Sequence, residues 1–209
     1  MSDTAQTELT RYLENARRLE EGHAYAPDQE HDACGVGLVA AIDGKPRREI
    51  VLHAINALKC VWHRGAVDAD GKTGDGAGLH IQVPQEFFAD EVKLTGHALE
   101  DGRIGIGMIF LPRTDYNAQE TCRTIVEAEI LRFGYYIYGW RQVPVDISVT
   151  GEKANATRPE IEQIMFDTGA KKDVEAIERD LFIIRRRIET QVRKASIPNF
   201  YICSLSTRS

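Results

Sequence analysis

The chain has 209 residues, 43% of them hydrophobic, and a formal net charge of −6 at pH 7, which fits one globular domain or two small ones. The negative charge, without a basic stripe of interleaved aromatic residues, argues against nucleic acid as a partner. No apolar run reaches the roughly 18 residues of a membrane span, and the N-terminus lacks the apolar core of a secretory signal. We therefore expect a cytoplasmic protein with no membrane partner.

The first 33 residues differ in composition from the rest of the chain. Thr4 to Glu21 predict a polar helix, and the residues that follow, up to Asp32, are polar and predict an extended segment. The apolar stripe of this helix is thin and consists of Tyr12, Leu13, Ala16 and Leu19. Because so few apolar side chains can anchor it, we predict that segment 1–33 is a leader or a linker.

From Cys34 onward the pattern alternates between predicted strands and predicted helices. The apolar, glycine-rich run from Cys34 to Ile42 predicts a buried strand, and Arg47 to Trp62 predict a helix with one apolar face. Asp115 is a predicted N-cap and Gly134 a predicted C-terminal glycine of another helix. Further strands are predicted at residues 79–83, 103–111, 135–143, 160–166 and 200–205. Further helices are predicted at residues 86–92, 115–133 and 173–194, the last with the most regular apolar stripe.

A loop dense in aspartate and glycine lies at residues 66–78, A-V-D-A-D-G-K-T-G-D-G-A-G. A phosphate-binding loop needs four residues between its first glycine and Gly-Lys-Thr, whereas five follow Gly65 here. A calcium loop starting at Asp68 fails because its fifth and sixth positions are Lys72 and Thr73. The glycines also lack the spacing of a dinucleotide-binding fingerprint. We predict a flexible loop that enters a strand, with a loop lining an active site as the alternative.

Four cysteines are spaced far apart in the sequence, with no C-x-x-C pair. Cysteine metal sites usually contain such pairs, and cytoplasmic proteins rarely keep disulfides, so we predict neither a metal site nor a disulfide. Cys60 and Cys122 fall in helical patterns and Cys203 in a strand pattern, and we predict that all three are buried as small hydrophobic side chains. Cys34 differs, because the glycines beside it in H-D-A-C-G-V-G leave room for a substrate.

Two kinds of base can activate the thiol of Cys34. One is a histidine, and the candidates are His53, His63, His80 and His97. The other is the α-amino group of Cys34 itself, which cleavage of the Ala33–Cys34 bond would release and whose ordinary pKa is about 7.7–8.0. A polar leader that ends at an apolar run suits the second base, and the residues leave both open.

Four spaced motifs resemble those of a known family. They are D-A-C-G-V-G at 32–37, W-H-R-G-A at 62–66, D-G-K-T-G-D-G-A-G at 70–78 and L-S-T-R at 205–208. In this order they resemble the start of the glutamate synthase large-subunit family, and the resemblance covers essentially the whole chain. It implies a class II glutamine amidotransferase domain, an N-terminal-nucleophile hydrolase with an α+β fold that forms a four-layer αββα sandwich, incomplete at the C-terminus of this chain.

The resemblance implies roles for three residues. Cys34 matches the catalytic nucleophile, which removal of residues 1–33 as a propeptide releases, and residues 34–209 are then the N-terminal part of the amidotransferase domain. Its thiol attacks the side-chain amide of L-glutamine and its α-amino group moves the proton, so that a γ-glutamyl thioester and ammonia form and water then releases glutamate. Arg64 resembles the arginine that supports the nucleophile, with a mainly structural role as the alternative. Gly65 permits a tight turn beside it and is a weaker candidate for the substrate site.

For the complete enzyme the resemblance implies further chemistry. Ammonia adds to 2-oxoglutarate, and reduction through a flavin gives a second glutamate. The implied cofactors are FMN, an iron–sulfur cluster and NADPH, with ferredoxin as the alternative electron donor, and the implied partners are the rest of the large subunit and a small reductase subunit. No cofactor is expected in this chain itself.

The resemblance also places important residues beyond position 209. These are the arginine that binds the substrate carboxylate and the Asn-Gly pair of the oxyanion hole, and the chain contains no Asn-Gly. Loss of one oxyanion donor typically costs about 10²–10³ in rate, so we expect little or no glutaminase activity from the chain alone. Two alternatives stay open: a different N-terminal-nucleophile amide hydrolase, and an inactive fragment that acts only as a folding or binding module.

Overall fold

The structure is a computed structural model that describes residues 7, 10–11, 13–15, 17–18, 35–61, 67–74, 76–100, 102–169 and 173–209. The chain divides into two compact units, residues 1–36 and residues 37–209. In the first unit, the described residues between 7 and 18 are helical and exposed, in agreement with the predicted leader helix, and Leu13 is 58% exposed. The other members of its predicted apolar stripe, Tyr12, Ala16 and Leu19, lie outside the described residues.

The second unit is built on a four-stranded antiparallel sheet. Its strands are β1 (Ile104–Leu111), β2 (Tyr136–Gln142), β3 (Glu160–Asp167) and β4 (Tyr201–Ser206), in the order β2-β3-β1-β4. In the register, Ile109 of β1 lies opposite Glu162 of β3 and Ile202 of β4. The sheet confirms four of the predicted strands and gives the chain a mixed α/β fold.

Five α-helices are described in this unit. They are α1 (Arg48–Cys60), α2 (Gln85–Leu94), α3 (Tyr116–Arg132), α4 (Glu152–Thr157) and α5 (Val174–Lys194), with a 3-10 turn at Ile147–Val149. Asp115 caps α3 by accepting a hydrogen bond from the N–H of Ala118 at 2.9 Å, as predicted. The sequence did not predict α4, because its six residues, E-K-A-N-A-T, contain no periodic apolar stripe. None of the helices in the described ranges combines the length and the apolar character needed to cross a bilayer.

The main core lies between one face of the sheet and the two long helices, α3 and α5. The buried residues of α5 recur every three or four positions, as predicted: Ile177, Leu181, Ile184, Ile188 and Val192. They pack with Cys122, Val126 and Ile130 of α3 and with Ile109, Leu111, Ile164, Phe166 and Ile202 of the sheet. Each large apolar side chain buried in this way contributes about 1.5–3 kcal/mol to the free energy of unfolding. The packing of α3 and α5 therefore stabilises the sheet, and the other elements of the unit are connected to that sheet.

The opposite face of the sheet is covered at one end only. Phe88 and Val92 of α2 pack there against a small cluster that consists of Ile104, Ile106, Tyr138 and Met165. Further along the same face, Phe110 contacts Tyr201, with 6.0 Å between ring centroids, and Tyr201 is 53% exposed. Among the residues that the structure describes, nothing covers this part, which we call the open face.

Two predicted strands are absent from the described residues. Residues 35–42 and 79–83 belong to no strand, and Val36, Leu38 and Ile42 are 94%, 91% and 107% exposed. An apolar run becomes a buried strand only where a neighbouring strand supplies hydrogen bonds and a second layer covers it. In the described ranges neither condition is met, although the N–H of Val83 donates to the carbonyl of Arg208 at 2.7 Å, just past the end of β4.

The prediction that three cysteines are buried is right for Cys122 and wrong for Cys60 and Cys203, which are exposed. Cys203 lies where the pairing of β4 with β1 shifts: Ser204 pairs with Met108 and Ile202 with Ile109. Cys203 is thus the extra residue of a β-bulge, a distortion that turns a side chain away from its expected face. Cys60 ends α1, a helix with no fully buried residue.

We expect Cys203 to react with a maleimide at pH 7.5 more than about 100-fold faster than Cys122. Burial raises the pKa of the Cys122 thiol from an ordinary value of 9.0 to about 11, and since the thiolate is the reactive form, the population able to react falls by roughly 100-fold relative to an ordinary thiol. Peptide mass mapping over time measures both rates, and a Cys203→Ser variant identifies the fast site. Equal rates in the folded protein would contradict the burial of Cys122.

Candidate active site

The three residues that the sequence singles out, Cys34, Arg64 and Gly65, lie outside the described residues. The structure describes the segments that flank them: the residues after Cys34, helix α1 before Arg64, and the loop that begins at Val67. The structure therefore describes the chain segments next to these residues and not the residues themselves.

The segment after Cys34 leads through a tight turn into α1. The N–H of Gly44 donates to the carbonyl of Ala41 at 3.0 Å, and Gly44 has a φ of +66°, a conformation that favours glycine. The carboxylate of Asp43 accepts a hydrogen bond from the backbone of Lys45 at 3.2 Å and forms an ion pair with Arg47. This turn sets the start of α1, which ends at Cys60, shortly before the W-H-R-G-A motif.

Residues 67–74, here called the aspartate loop, form a hydrogen-bonded turn rather than the flexible loop predicted. The N–H of Asp68 donates to the carbonyl of Thr73 at 2.7 Å, next to a backbone bridge between Val67 and Gly74. The carboxylate of Asp70 accepts hydrogen bonds from the hydroxyl of Thr73 and from the backbone N–H groups of Thr73 and Lys72. These bonds, the Thr73 hydroxyl first, hold the pKa of Asp70 well below its ordinary value, so the carboxylate that accepts them is ionised at neutral pH.

The aspartate loop docks on the start of α4, about 80 residues further along the chain. The ammonium of Lys153 lies 2.7 Å from both carboxylate oxygens of Asp68. The N–H of Ala154 donates to the hydroxyl of Thr73 at 3.4 Å. Gly151 is buried against the loop: a Cβ at this position would lie 2.1 Å from Oγ1 of Thr73 and 2.5 Å from its backbone nitrogen. The ion pair and the close packing together hold the loop against Gly151 and Lys153, which we call the anchor residues.

Two of the histidines considered as bases have local partners. His53 lies on α1, with its Nε2 atom 3.8 Å from the carboxylate of Glu49. His97 contacts the hydroxyl of Thr95 at 2.8 Å and the ring of Tyr136 at 5.8 Å between centroids. His63 lies outside the described residues. Within the described ranges, no group of three or more His, Cys, Asp or Glu side chains is placed to hold a metal ion.

Comparison with known protein families identifies the family of this chain. A model of the class II glutamine amidotransferases matches residues 34–209, a span that begins at Cys34 and includes the aspartate loop, its anchor and the sheet. The chain belongs to the class II glutamine amidotransferases. The class II glutamine amidotransferase domain that the resemblance implies is thereby confirmed.

The relatives of this amidotransferase are glutamate synthases. The chain is 63% identical over 195 residues to the glutamate synthase [NADPH] large chain of Azospirillum brasilense, covering 93% of this chain and 13% of that one. It is 40% identical over 182 residues to a chloroplastic ferredoxin-dependent glutamate synthase of Oryza sativa subsp. japonica, covering 86% and 11%. For ferredoxin-dependent glutamate synthase 2 of Synechocystis the identity is 37% over 182 residues, covering 87% and 11%. The amidotransferase is thus homologous to the glutaminase part of these enzymes and spans 11–13% of their length.

The sequence alone did not point to the anchor residues Gly151 and Lys153. They lie in a polar segment for which the sequence predicts neither a helix nor a strand, and no spacing rule connects a lysine to an aspartate 85 positions earlier. The sequence shows the excess of aspartate in the loop, but the lysine that pairs with it lies far along the chain, in the segment that connects β2 and β3.

Proposed function

We propose that Cys34 is the nucleophile of a glutaminase reaction in which L-glutamine is hydrolysed to glutamate and ammonia. The observation that carries the proposal is the extent of the family match, which begins at Cys34. When the preceding chain is removed, a cysteine at the first position has an α-amino group beside its thiol. With an ordinary pKa of about 7.7–8.0, that amine is a suitable base near neutral pH.

Residues 1–33 are, in this proposal, a propeptide, and residues 34–209 are the N-terminal part of the amidotransferase domain. Two observations support this division. The family match omits residues 1–33, and the described residues between 7 and 18 form an exposed helix, with Leu13 58% exposed. Removal of the segment converts the amide nitrogen of Cys34 into an amine.

The proposed reaction has two steps. The amine of Cys34 takes the thiol proton, Sγ attacks the side-chain amide carbon of glutamine, and the proton passes to the departing ammonia as the C–N bond breaks. Water then hydrolyses the γ-glutamyl thioester, which restores the thiol and releases glutamate. Arg64 supports the surroundings of the nucleophile, and Gly65 permits the tight turn beside it.

We extend the proposal to the architecture: a second sheet packs on the open face and completes a four-layer αββα sandwich. Phe110 and Tyr201 leave that face apolar and partly exposed. Segments 36–42 and 79–83 carry exposed apolar side chains of their own, such as Leu38 and Ile81. If the two segments pair as strands of a second sheet that covers the open face, the apolar side chains of the segments and of that face are all buried.

Hydrogen exchange tests this architecture. In the complete enzyme, the backbone amides of residues 36–42 and 79–83 are expected to exchange as slowly as those of β1, because strand pairing and burial protect amides. The measurement is exchange followed by peptide mass analysis, with the exposed turn at residues 43–47 as the fast control. Exchange in both segments at the rate of that turn would contradict a second sheet.

The chain is proposed to act within a longer glutamate synthase large chain, since it spans 11–13% of its relatives. There, the ammonia adds to 2-oxoglutarate to form glutamate, with FMN, an iron–sulfur cluster, NADPH and a small reductase subunit. NADPH is favoured because identity is 63% to a relative named for NADPH and 40% to one named for ferredoxin. Cys60, Cys122 and Cys203 lie on three separate elements and do not fit an iron–sulfur cluster, so the cluster is assigned to another part of the complete enzyme. The family resemblance assigns the flavin to another part as well.

Active-site labelling tests the proposal. A diazoketone analogue of glutamine is expected to modify the complete large chain once, at Cys34, as mapped by peptide mass spectrometry. L-glutamine is expected to slow the labelling, and a Cys34→Ser variant is expected to show none at this position. The intact mass is expected to correspond to a protein that begins at Cys34.

Other results would favour the alternatives. Labelling of Cys34 that glutamine does not slow would indicate an N-terminal-nucleophile hydrolase acting on a different amide. A Cys34→Ser variant that unfolds more easily, in a protein that the diazoketone never labels at Cys34, would indicate a core cysteine in a non-enzymatic module.

A further inference from the structure

We propose that a cleft at one end of the sheet is a binding site for a nucleoside diphosphate. The cleft lies between the first half of α3 and the end of the sheet where β1 and β2 stop and β3 begins, and its volume is about 840 Å³. Ligand sites in proteins are typically clefts of about 300–1,000 Å³. The residues that line the cleft are all described by the structure, and none belongs to the four family motifs.

A hydrogen-bonded network forms one wall of the cleft. The guanidinium of Arg123 lies 2.8 Å and 2.5 Å from the two carboxylate oxygens of Glu162, and it also contacts the carboxylate of Glu120. The side chain of Gln119 is 5% exposed and donates to the backbone carbonyl of Arg113 at 3.1 Å. Both carboxylates of this wall thus have a cationic partner, and the backbone from which the Arg113 side chain extends is held against α3.

Two other arginines on the cleft lack such a partner. The side chains of Arg113 and Arg158 are half-buried, and no carboxylate of the described residues forms an ion pair with either one. Partial burial of an unpaired cation costs free energy, which an anionic ligand would offset. A guanidinium presents five N–H donors in a planar arrangement that suits phosphate oxygens. These two side chains therefore favour a ligand that carries phosphate groups.

Glu160 supplies a hydrogen-bond acceptor on the same cleft. Its carboxylate accepts a hydrogen bond from the side-chain amide of Gln142 at 2.5 Å, and within the described ranges it has no cationic partner. Acidic side chains accept hydrogen bonds from ribose hydroxyl groups in dinucleotide-binding folds. Three arginines and three glutamates line the cleft, so its formal net charge is zero. This balance suits a ligand with separate anionic and hydroxyl-bearing parts better than a simple anion.

Trp140 provides a flat surface for a base. Its ring is half-buried and packs on the main core, and its Nε1 atom donates to the carboxylate of Glu127 at 2.6 Å. The orientation of the ring is therefore fixed before a ligand binds. Stacking of a base on an aromatic ring strengthens binding by roughly tenfold or more. Phosphates on the two free arginines, ribose on Glu160 and a base on Trp140 together account for the chemistry of the cleft.

Isothermal titration calorimetry of the purified 209-residue chain tests this site, with ADP as the probe. The chain alone is used because FMN and NADPH are assigned to other parts of the complete enzyme. Adenosine lacks the phosphates, and pyrophosphate lacks the base and the ribose. ADP is expected to bind at least about tenfold more tightly than either compound, because only ADP makes both the charged and the stacking contacts.

Four variants locate the binding in the cleft. Arg113→Gln and Arg158→Gln are each expected to weaken ADP binding by about tenfold, the usual effect of losing hydrogen bonds to a charged group. Trp140→Phe is expected to weaken ADP and adenosine by the same factor, because it changes only the stacking surface. Arg193→Gln is the matched control and is expected to change nothing, since it removes the same charge from an exposed position on α5 outside the cleft. Melting temperatures, measured alongside, are expected to stay at the parent value for the arginine variants.

The other outcomes would overturn the site. Absence of ADP binding at millimolar concentrations, or ADP binding that neither cleft arginine variant weakens, would show that the cleft holds no nucleotide. Pyrophosphate binding as tight as that of ADP would indicate a general anion site without a role for Trp140. An equal loss in Arg193→Gln would show that the charge of the whole protein, and not the cleft, sets the affinity. Labelling of Cys34 tests the proposed function separately and is unaffected by these results.

Discussion

A complete large chain that begins at Cys34 is expected to react with the diazoketone analogue of glutamine at least about 100-fold faster than one that begins at Ala33. The two proteins contain the same thiol and differ by one residue. In the first, the nitrogen of Cys34 is an amine that can take the thiol proton, whereas in the second it is an amide and cannot. A correctly placed general base contributes typically 10²–10⁴ in rate. Both proteins can be produced by a site-specific protease that cleaves a replaced leader.

The pH dependence of the labelling rate gives an independent check. A base acts when it is unprotonated, so the rate for the chain that begins at Cys34 is expected to rise with pH and level off above about 8, the ordinary pKa range of an α-amine. The chain that begins at Ala33 lacks this base at Cys34. Equal rates and equal pH profiles would contradict the role of the amine and favour one of the four histidines, His53, His63, His80 or His97, as the base.

The elements best predicted from the sequence are those whose pattern depends on one local period. The apolar residues of α5 recur every three or four positions over 21 residues, and all but the first of the predicted stripe are buried. Asp115 caps α3, and Gly134 follows that helix with a φ of +80°, because capping depends on a few neighbouring atoms. The family could also be predicted from the sequence, because its motifs consist of consecutive residues.

Features that depend on distant partners were not predictable from local patterns. Residues 36–42 have the composition of a buried strand, but composition does not say which strand pairs with them. Cys203 is exposed because a bulge in β4 shifts its register against β1, and no signal in Y-I-C-S-L-S marks that position. The contact between Lys153 and Asp68 joins segments 85 positions apart. In each case the deciding partner is remote in the sequence.

Gly105→Ala is expected to lower the free energy of unfolding by about 1–3 kcal/mol, the usual cost of overfilling a packed core. Gly105 lies in β1, and a Cβ there would be 2.3 Å from the ring of Phe166 on the neighbouring strand β3. The ring stacks on Tyr135 and is fully buried, so it has no open space to move into. Urea denaturation of the purified chain, with an unchanged m value, measures the effect. Gly78→Ala is the matched control, because a Cβ there meets nothing within 4 Å.

The cause of this destabilisation can be isolated by shortening the ring. Phe166→Leu alone is expected to cost about 1–2 kcal/mol, less than the roughly 3–5 kcal/mol of truncation to alanine. Combined with Gly105→Ala, it is expected to cost about the same as Phe166→Leu alone, because the ring atoms that the new methyl group would meet are gone. Residues in contact are those whose effects fail to add. Additive costs would show that the clash with the ring is not the cause of the destabilisation. The backbone of β1 itself would then require glycine at position 105.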